Sequence, residues 1–387
     1  MDNITSLRQV NSNIVATSAH LFKPDDVWRS DWGGGFFAQM MEAMGGGGVG
    51  GNPPGGARFQ YWLKDSNQTV RFEFLDAAGK VITGFTSDQD PETAADSVRL
   101  EGIKAAAIDS LVNKAGYARD SATKVVTARF ASPAAAMAAL DFDEIMSRVP
   151  RPARVPNKKG INSFGWNMRY ADAARFDGMI MWAGTVTGPM APPGTYSVRM
   201  TAGPVSQTYP FRLKKDPRSD ASDADLQAQF KMLMAIRDRT TDANMGVRTV
   251  RNMRWQVADR APKLTGQPSV EFQALSNEMM AELTTSESEV YQTKNQSSQD
   301  PLNYPIKLNN QIAALAGTVG SGEYRPTVQA QQAFALLSGK LDEQLGAIKK
   351  SLDSHLPRLN AILKAAGLPE LTPSTEEIKP NRPKIAM

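Results

Sequence analysis

The sequence predicts an α+β multidomain chain, an antiparallel β-sandwich followed by an antiparallel helical bundle. Three observations lead there. Segments before about residue 217 alternate apolar and polar residues with period two and are rich in aromatic and β-branched side chains. No helix of useful length separates the later of these segments, which disfavours a parallel α/β sheet. After about residue 218 the apolar residues recur at helical spacing instead. The 387 residues exceed one ordinary core. They divide into a linker and Gly-rich loop (1–51), a sandwich (52–217) with a helical insertion at about 91–158, a bundle (218–366) and a disordered tail (367–387).

Residues 1–32 hold short apolar patches and two tryptophans, Trp28 and Trp32. The run GGGFFAQMMEAMGGGGVGGNPPGG follows, and its glycines read as a flexible loop. A phosphate loop needs Gly-Lys-Ser/Thr opening a helix, whereas these glycines lead into Asn52-Pro53-Pro54 ahead of a strand. The first strand places Phe59, Tyr61 and Leu63 on one face, and the second places Val70, Phe72 and Phe74. Asp76 to Gly79 supply a turn. After the insertion the alternation returns with Phe164, Trp166, Met168 and Tyr170, then Tyr196, Val198 and Met200, then Tyr209, Phe211 and Leu213.

Within the insertion, Ile103, Ala107 and Leu111 fall at helical spacing and Gly116 is placed to stop that helix. A short strand is expected at KVVTARF, and a second helix after the N-cap pair Ser132-Pro133. Ser222 to Asp225 form a capping box for a helix that runs past Trp255. Further helices follow through Phe272, Leu275, Met279 and Leu283, through Leu308, Ile312, Leu315 and Val319, and from Phe334 to Leu363. The last repeats leucine and isoleucine about every 3.5 residues, the spacing of a helix–helix seam. In DPLNYPIKLNNQI, Pro301 and Pro305 suggest an extended crossing. Tyr304 is expected to pack on the bundle, and Asn303, Asn309 and Asn310 to satisfy backbone groups.

Composition narrows the function classes. The net charge is +4, spread along the chain, whereas a nucleic-acid binder concentrates its positive charge. The densest basic stretch, RVPRPARVPNKKG at 148–160, reads as a solvated linker. No run approaches 18 uninterrupted apolar residues, so no membrane span is expected, and no signal peptide is visible in the first thirty residues. With no cysteine there is no disulfide and no thiolate chemistry. His20 and His355 are too few for a histidine-rich metal site, and no Gly-x-Ser-x-Gly elbow supports a nucleophilic triad. Carboxylates pair at Asp25-Asp26, Asp88-Asp90-Glu92 and Asp141-Asp143-Glu144, where loop charge and helix capping account for them. The patterns at Asn3, Asn67 and Asn295 match N-glycosylation acceptors and are short enough to arise by chance. No catalytic, cofactor-binding or metal-binding residue is assigned, and no cofactor is expected.

Three separated stretches nevertheless belong together. They are NPPGGARFQYWL (52–63), the long run from GINSFGWNMRY to GTYSVRMT (160–201), and KNQSSQDPLNYPIKLNNQIAALAG (294–317) followed by RPT. This set resembles the C-terminal region of large bacterial BNR-repeat (Asp-box) glycosyl hydrolase-like proteins, the sortilin- and sialidase-like repeat proteins. The resemblance implies a periplasmic or extracellular parent protein in which this region follows a β-propeller. No Asp-box occurs in this chain, so no catalytic residue carries over. The insertion at 91–158 is longer than the family's usual linker there.

The expectation is therefore a non-catalytic accessory and interaction module, with an immunoglobulin-like sandwich and a helical spacer. Its partner would be the β-propeller of a parent protein or of a separate chain, with a protein or glycan as a further ligand. The alternative is a hydrolase acting on glycans or peptides. On the module reading, the fold begins at about residue 52, and the segment before it, with Phe36, Phe37, Met40 and Met41, lacks its natural cover.

Overall fold

The computed structural model describes residues 4–29, 56–66, 68–88, 91–130 and 153–376. Two compact units emerge. One holds the described residues up to Tyr170 together with Met190–Ser219, and the other holds Ala171–Pro189 and the described residues from Asp220 onward. The chain is thus mixed α+β, with two sheets and seven α-helices among the described residues.

Eight strands lie among the described residues of the first unit: β1 (Ala19–Leu21), β2 (Val27–Arg29), β3 (Ala57–Leu63), β4 (Val70–Leu75), β5 (Val81–Thr86), β6 (Gly160–Trp166), β7 (Gly194–Ala202) and β8 (Val205–Lys215). One sheet runs in the order β1-β3-β6 and the other β2-β8-β7-β4-β5. The alternation read from the sequence is the alternation of burial. Phe59, Tyr61, Leu63, Val70, Phe72, Phe74, Val198 and Met200 are all within 1% of complete burial. Rings from the two sheets meet between them. Trp166 of β6 stacks on Phe74 of β4 at 4.5 Å, and Phe59 of β3 lies 5.2 Å from Phe211 of β8. Each such pair adds about 0.5–1.5 kcal/mol beyond the area it buries.

The last glycine of NPPGG has a steric task here. Gly56 sits at φ +90°, and a Cβ there would come within 2.3 Å of the Trp166 carbonyl oxygen. Only glycine lets β3 start against β6. At the far end of the β4–β5 hairpin, Asp76 accepts from the backbone N–H groups of Ala78 and Lys80, and Gly79 turns at φ +80°.

Several expectations change. Residues 19–29, placed in a linker by sequence, contribute a strand to each sheet. β1 pairs antiparallel with β3, and β2 pairs parallel with β8, so the sheets are not wholly antiparallel. Strand β6 ends at Trp166. Met168 is buried but stands at φ +59°, off the strand, where the Trp166 indole donates to the Arg169 carbonyl at 3.0 Å. KVVTARF is not a strand. It lies in helix α3 (Arg119–Arg129), where Ala122 and Val126, four apart, are the buried pair. Helical spacing outweighs the β-branched valines. The basic stretch is not a solvated linker over its described part. Val155 is buried and donates its N–H to Thr86 O, and the Arg154 guanidinium donates to Ser87 O at 2.6 Å. Helix α1 is Ser12–Ala16, and α2, Pro91–Ala115, stops at Gly116 as expected. The helix expected after Ser132-Pro133 and the residues Phe36, Phe37, Met40 and Met41 lie outside the described residues.

The second unit packs four helices, α4 (Asp223–Arg260), α5 (Gly266–Val290), α6 (Leu308–Val319) and α7 (Val328–Ala365). Ser222 caps α4 by accepting from the Asp225 N–H at 3.1 Å, and Thr327 caps α7 likewise through Ala330. Two apolar clusters fill the unit, one around Ile236, Val247, Ile312 and Leu341 and one around Met253, Phe272, Leu283 and Leu359. Pro301 lies within a 3-10 turn, Asp300–Leu302, instead of an extended crossing, and Tyr304 is half exposed beside the Lys294 ammonium. The tail is ordered to residue 376. Leu368 N–H bonds Leu363 O at 2.8 Å and Gly367 N–H bonds Lys364 O, a Schellman reversal with Gly367 at φ +69°. Residues 377–387 lie outside the described residues. No helix among the described residues is long and apolar enough to cross a membrane.

Candidate functional site

Among the described residues, the histidines and paired carboxylates singled out in the sequence do not converge. His20 belongs to the first unit and His355 to the second. His20 Nδ1 accepts from the Gln207 amide at 3.3 Å, and its ring meets Phe22 edge-on. Burial lowers its pKa, which favours the neutral ring. His355 Nδ1 donates to the Ser351 carbonyl at 2.9 Å, one helical turn back. Asp26 accepts from the Arg212 N–H, and Asp88 accepts from the hydroxyls of Thr69 and Thr86. These are loop-tying roles. Asp90, Asp141, Asp143, Glu144, Asn3 and Asn67 lie outside the described residues. Among the described residues no group of three or more acidic or histidine side chains is arranged to hold a metal ion.

Buried polar groups converge instead around Ala171–Pro189, a segment of the second unit with no regular secondary structure. An irregular segment must satisfy its backbone polar groups with side chains. Helices α4, α5 and α6 supply them. Asn244 donates to Ala174 O at 2.7 Å, and Thr241 accepts from Ala174 N–H at 3.2 Å. Tyr291 accepts from Ile180 N–H at 3.1 Å and donates to Gly178 O. Asn310 takes both backbone groups of Trp182, accepting from its N–H and donating to its carbonyl, each at 2.7 Å. Behind it, Asn309 donates to Asn244 Oδ1 at 3.1 Å. The close fit explains Gly184, where a Cβ would stand 2.9 Å from Asn310 Nδ2.

One buried charge lies in this cradle. Glu287 is 3% exposed, and both its oxygens are engaged, by Arg251 Nε at 3.0 Å and by Arg254 Nη2 at 2.7 Å. The Arg251 guanidinium also lies 4.6 Å over the Phe176 ring and donates to Asp177 O. Phe176 and Tyr291 meet edge-on at 4.8 Å. Desolvation raises the Tyr291 pKa, so its phenol stays protonated and able to donate. The chemistry of this arrangement is that of a clasp. The carboxylate is held by two cations, and the phenol and amides are bonded to backbone.

The sequence points to Asn309 and Asn310 as backbone partners; both are among the most buried polar residues, but Asn310 bonds backbone whereas Asn309 donates to the Asn244 side chain. Asn303 is exposed and does not join them. Arg251, Arg254, Glu287 and Tyr291 went unread. The available signal was Glu287 itself, an acid one turn beyond Leu283 on the buried stripe of α5. No protein-family model, curated protein or solved structure matches this chain.

Proposed function

We propose that this chain is a non-catalytic accessory and interaction module, one that follows a β-propeller in a larger secreted protein. The observation that carries the reading is the fate of the buried polar groups around residues 171–189. Glu287 is held at both oxygens by Arg251 and Arg254, and Asn310, Asn244 and Tyr291 bond backbone. A general acid or base needs a proton-transfer position open to substrate. These groups are committed to holding chain.

We read the first unit as an immunoglobulin-like sandwich and the second as a helical bundle acting as spacer. Two features support the sandwich reading. Strands β1 and β2 fall in different sheets, with the five-stranded sheet ordered β2-β8-β7-β4-β5. Tyr196, near the start of β7, donates its hydroxyl to Pro192 O four residues upstream at 2.8 Å, the form of a tyrosine corner.

Two measurements test the proposal. Hydrolysis of sialosides, chromogenic glycosides and an unfolded protein substrate is followed with the chain alone, and no turnover is expected. Turnover that follows the chain through purification and is lost on Glu287→Gln would favour a hydrolase instead. Titrating the chain calorimetrically with a β-propeller from a protein that carries the same three motifs should give saturable heat. A flat titration removes the propeller as partner.

A further inference from the structure

Residues 368–376 run without helix or strand beside α4 and α7, and both helices address the backbone of this strap. Asn360 of α7 takes both backbone groups of Leu371, accepting from its N–H at 2.7 Å and donating to its carbonyl at 3.0 Å. Gln256 of α4 does the same for Thr372, accepting at 2.9 Å and donating at 2.7 Å. The Gln256 amide is itself steadied by Asn252 Oδ1, and both side chains are 7% exposed. Arg260 Nε adds a bond to Pro369 O at 3.3 Å. The one deeply buried strap side chain, Leu371 at 2% exposure, joins the apolar cluster of Phe272, Leu359 and Leu363.

This is the division of labour of a peptide-recognition groove. Main-chain bonds supply affinity that does not depend on sequence, and one apolar pocket supplies specificity. The bonds from Asn360, Gln256 and Arg260 to the strap all end on its backbone atoms, so the groove reads a non-helical peptide with a leucine anchor. In the folded chain that peptide arrives by the Schellman reversal at Gly367.

We propose that the α4–α7 groove is a peptide-recognition site, occupied in cis by residues 368–376, and that its trans occupant is the same strap of a second copy of this chain. Exchange of an identical element between copies leaves the groove contacts unchanged and alters only the Schellman turn at Gly367, so it costs little once the cis strap is released. A tethered strap competes at an effective concentration of about millimolar, so the cis occupant dominates until it is undocked. The inference stands on these bonds alone and not on the propeller reading.

The test uses the full chain carrying Leu371→Asp, which puts a charge where the anchor must sit and leaves the groove intact. The probe is a fluorescently labelled synthetic peptide of residues 366–376, followed by anisotropy. Saturable binding to the Leu371→Asp chain is expected, displaced by unlabelled peptide, with none to the wild-type chain at the same concentrations. Adding Gln256→Ala to the receptor should weaken binding about tenfold, the effect of two lost hydrogen bonds. A peptide with aspartate at the anchor should not bind. If Leu371→Asp fails to fold, Leu371→Ala, which buries no charge, replaces it as receptor. A folded receptor that ignores the peptide overturns the proposal. So does equal binding to the wild-type chain, or equal binding of the aspartate peptide.

Discussion

Replacing Asn310 by alanine tests how the segment 171–189 is held. The side chain is 4% exposed and makes two bonds, both to the backbone of Trp182 and both 2.7 Å long. Alanine removes one acceptor and one donor and leaves a peptide N–H and a carbonyl without partners in a part-buried setting. Each neutral hydrogen bond contributes about 0.5–1.5 kcal/mol net, and each stranded partner costs about 1–3 kcal/mol. Water can reach part of this site, so the sum falls near the lower end, about 3–4 kcal/mol. Asn310→Asp is the control. It keeps the acceptor for Trp182 N–H but sets a carboxylate against Trp182 O, so it should be no better than alanine. The assay is urea unfolding by far-UV circular dichroism, which reports the helical unit, with limited proteolysis as a local probe. Cuts within residues 171–189 should appear early in both variants. A loss below about 0.5 kcal/mol with an unchanged urea slope, and no new cuts, would refute the reasoning.

Four further outcomes are expected. Glu287→Gln keeps the shape of the clasp but weakens two charge-assisted bonds, and should lower stability by about 2 kcal/mol, since Arg251 and Arg254 are partly solvated; an unchanged thermal midpoint would show that the ion pairs contribute nothing. Gly56→Ala must relieve both φ +90° and a 2.3 Å approach to Trp166 O, and should cost more than about 2 kcal/mol in denaturant titrations; a stable variant would mean β3 starts elsewhere. Tyr61→Asp places a charge at a fully buried position between the sheets and should unfold the first unit or drive it to aggregate, and wild-type melting would rule out the β3 register. Burial depresses the His20 pKa below its ordinary 6.5, so the unfolded chain binds the proton more tightly; the stability of the first unit should decline as pH falls below about 6.5, and His20→Gln should flatten that limb.

Strands β3, β4 and β7 were legible because each buries one face over most of its length, whereas β8 buries only Phe211 and Leu213. In β3, β4 and β7 the period-two aromatic and aliphatic residues are the buried ones. The four long helices were legible for the same reason at helical spacing. Elements of three residues, such as β1 and β2, are too short to show a period, and what makes them strands is pairing with β3 and β8. Helix α3 differs from the strand expected at KVVTARF: its buried residues, Ala122 and Val126, are four apart, which is helical spacing. The clasp was legible in its amides and not in its ions. The asparagines of LNN sit at the start of an apolar helix, where Asn310 meets backbone and Asn309 meets the Asn244 side chain. Arg251 and Arg254 look like any solvated face until Glu287 is seen opposite. The ordered tail was hidden by its composition, because proline and charge also describe a strap whose backbone is bonded from outside.

The second unit repeats one device. Asn310 takes Trp182, Asn360 takes Leu371 and Gln256 takes Thr372, each amide satisfying the N–H and the carbonyl of a single residue. Gln229 donates to Val319 O and Gly322 O at the end of α6, and Gln292 donates to Pro305 O ahead of it. The choice of residue follows from chemistry. A carboxylate can only accept and an ammonium can only donate, so neither can pair with a whole peptide unit. An amide does both, and burying it carries no charge-desolvation penalty. Irregular chain can therefore lie against helices here without stranding its polar groups. Each such contact is specific for backbone geometry while remaining indifferent to most side chains on the segment it holds. That indifference makes Leu371 the position on the strap where sequence should matter most, and the helical amides the positions where even a charge-for-neutral change of equal size should be felt.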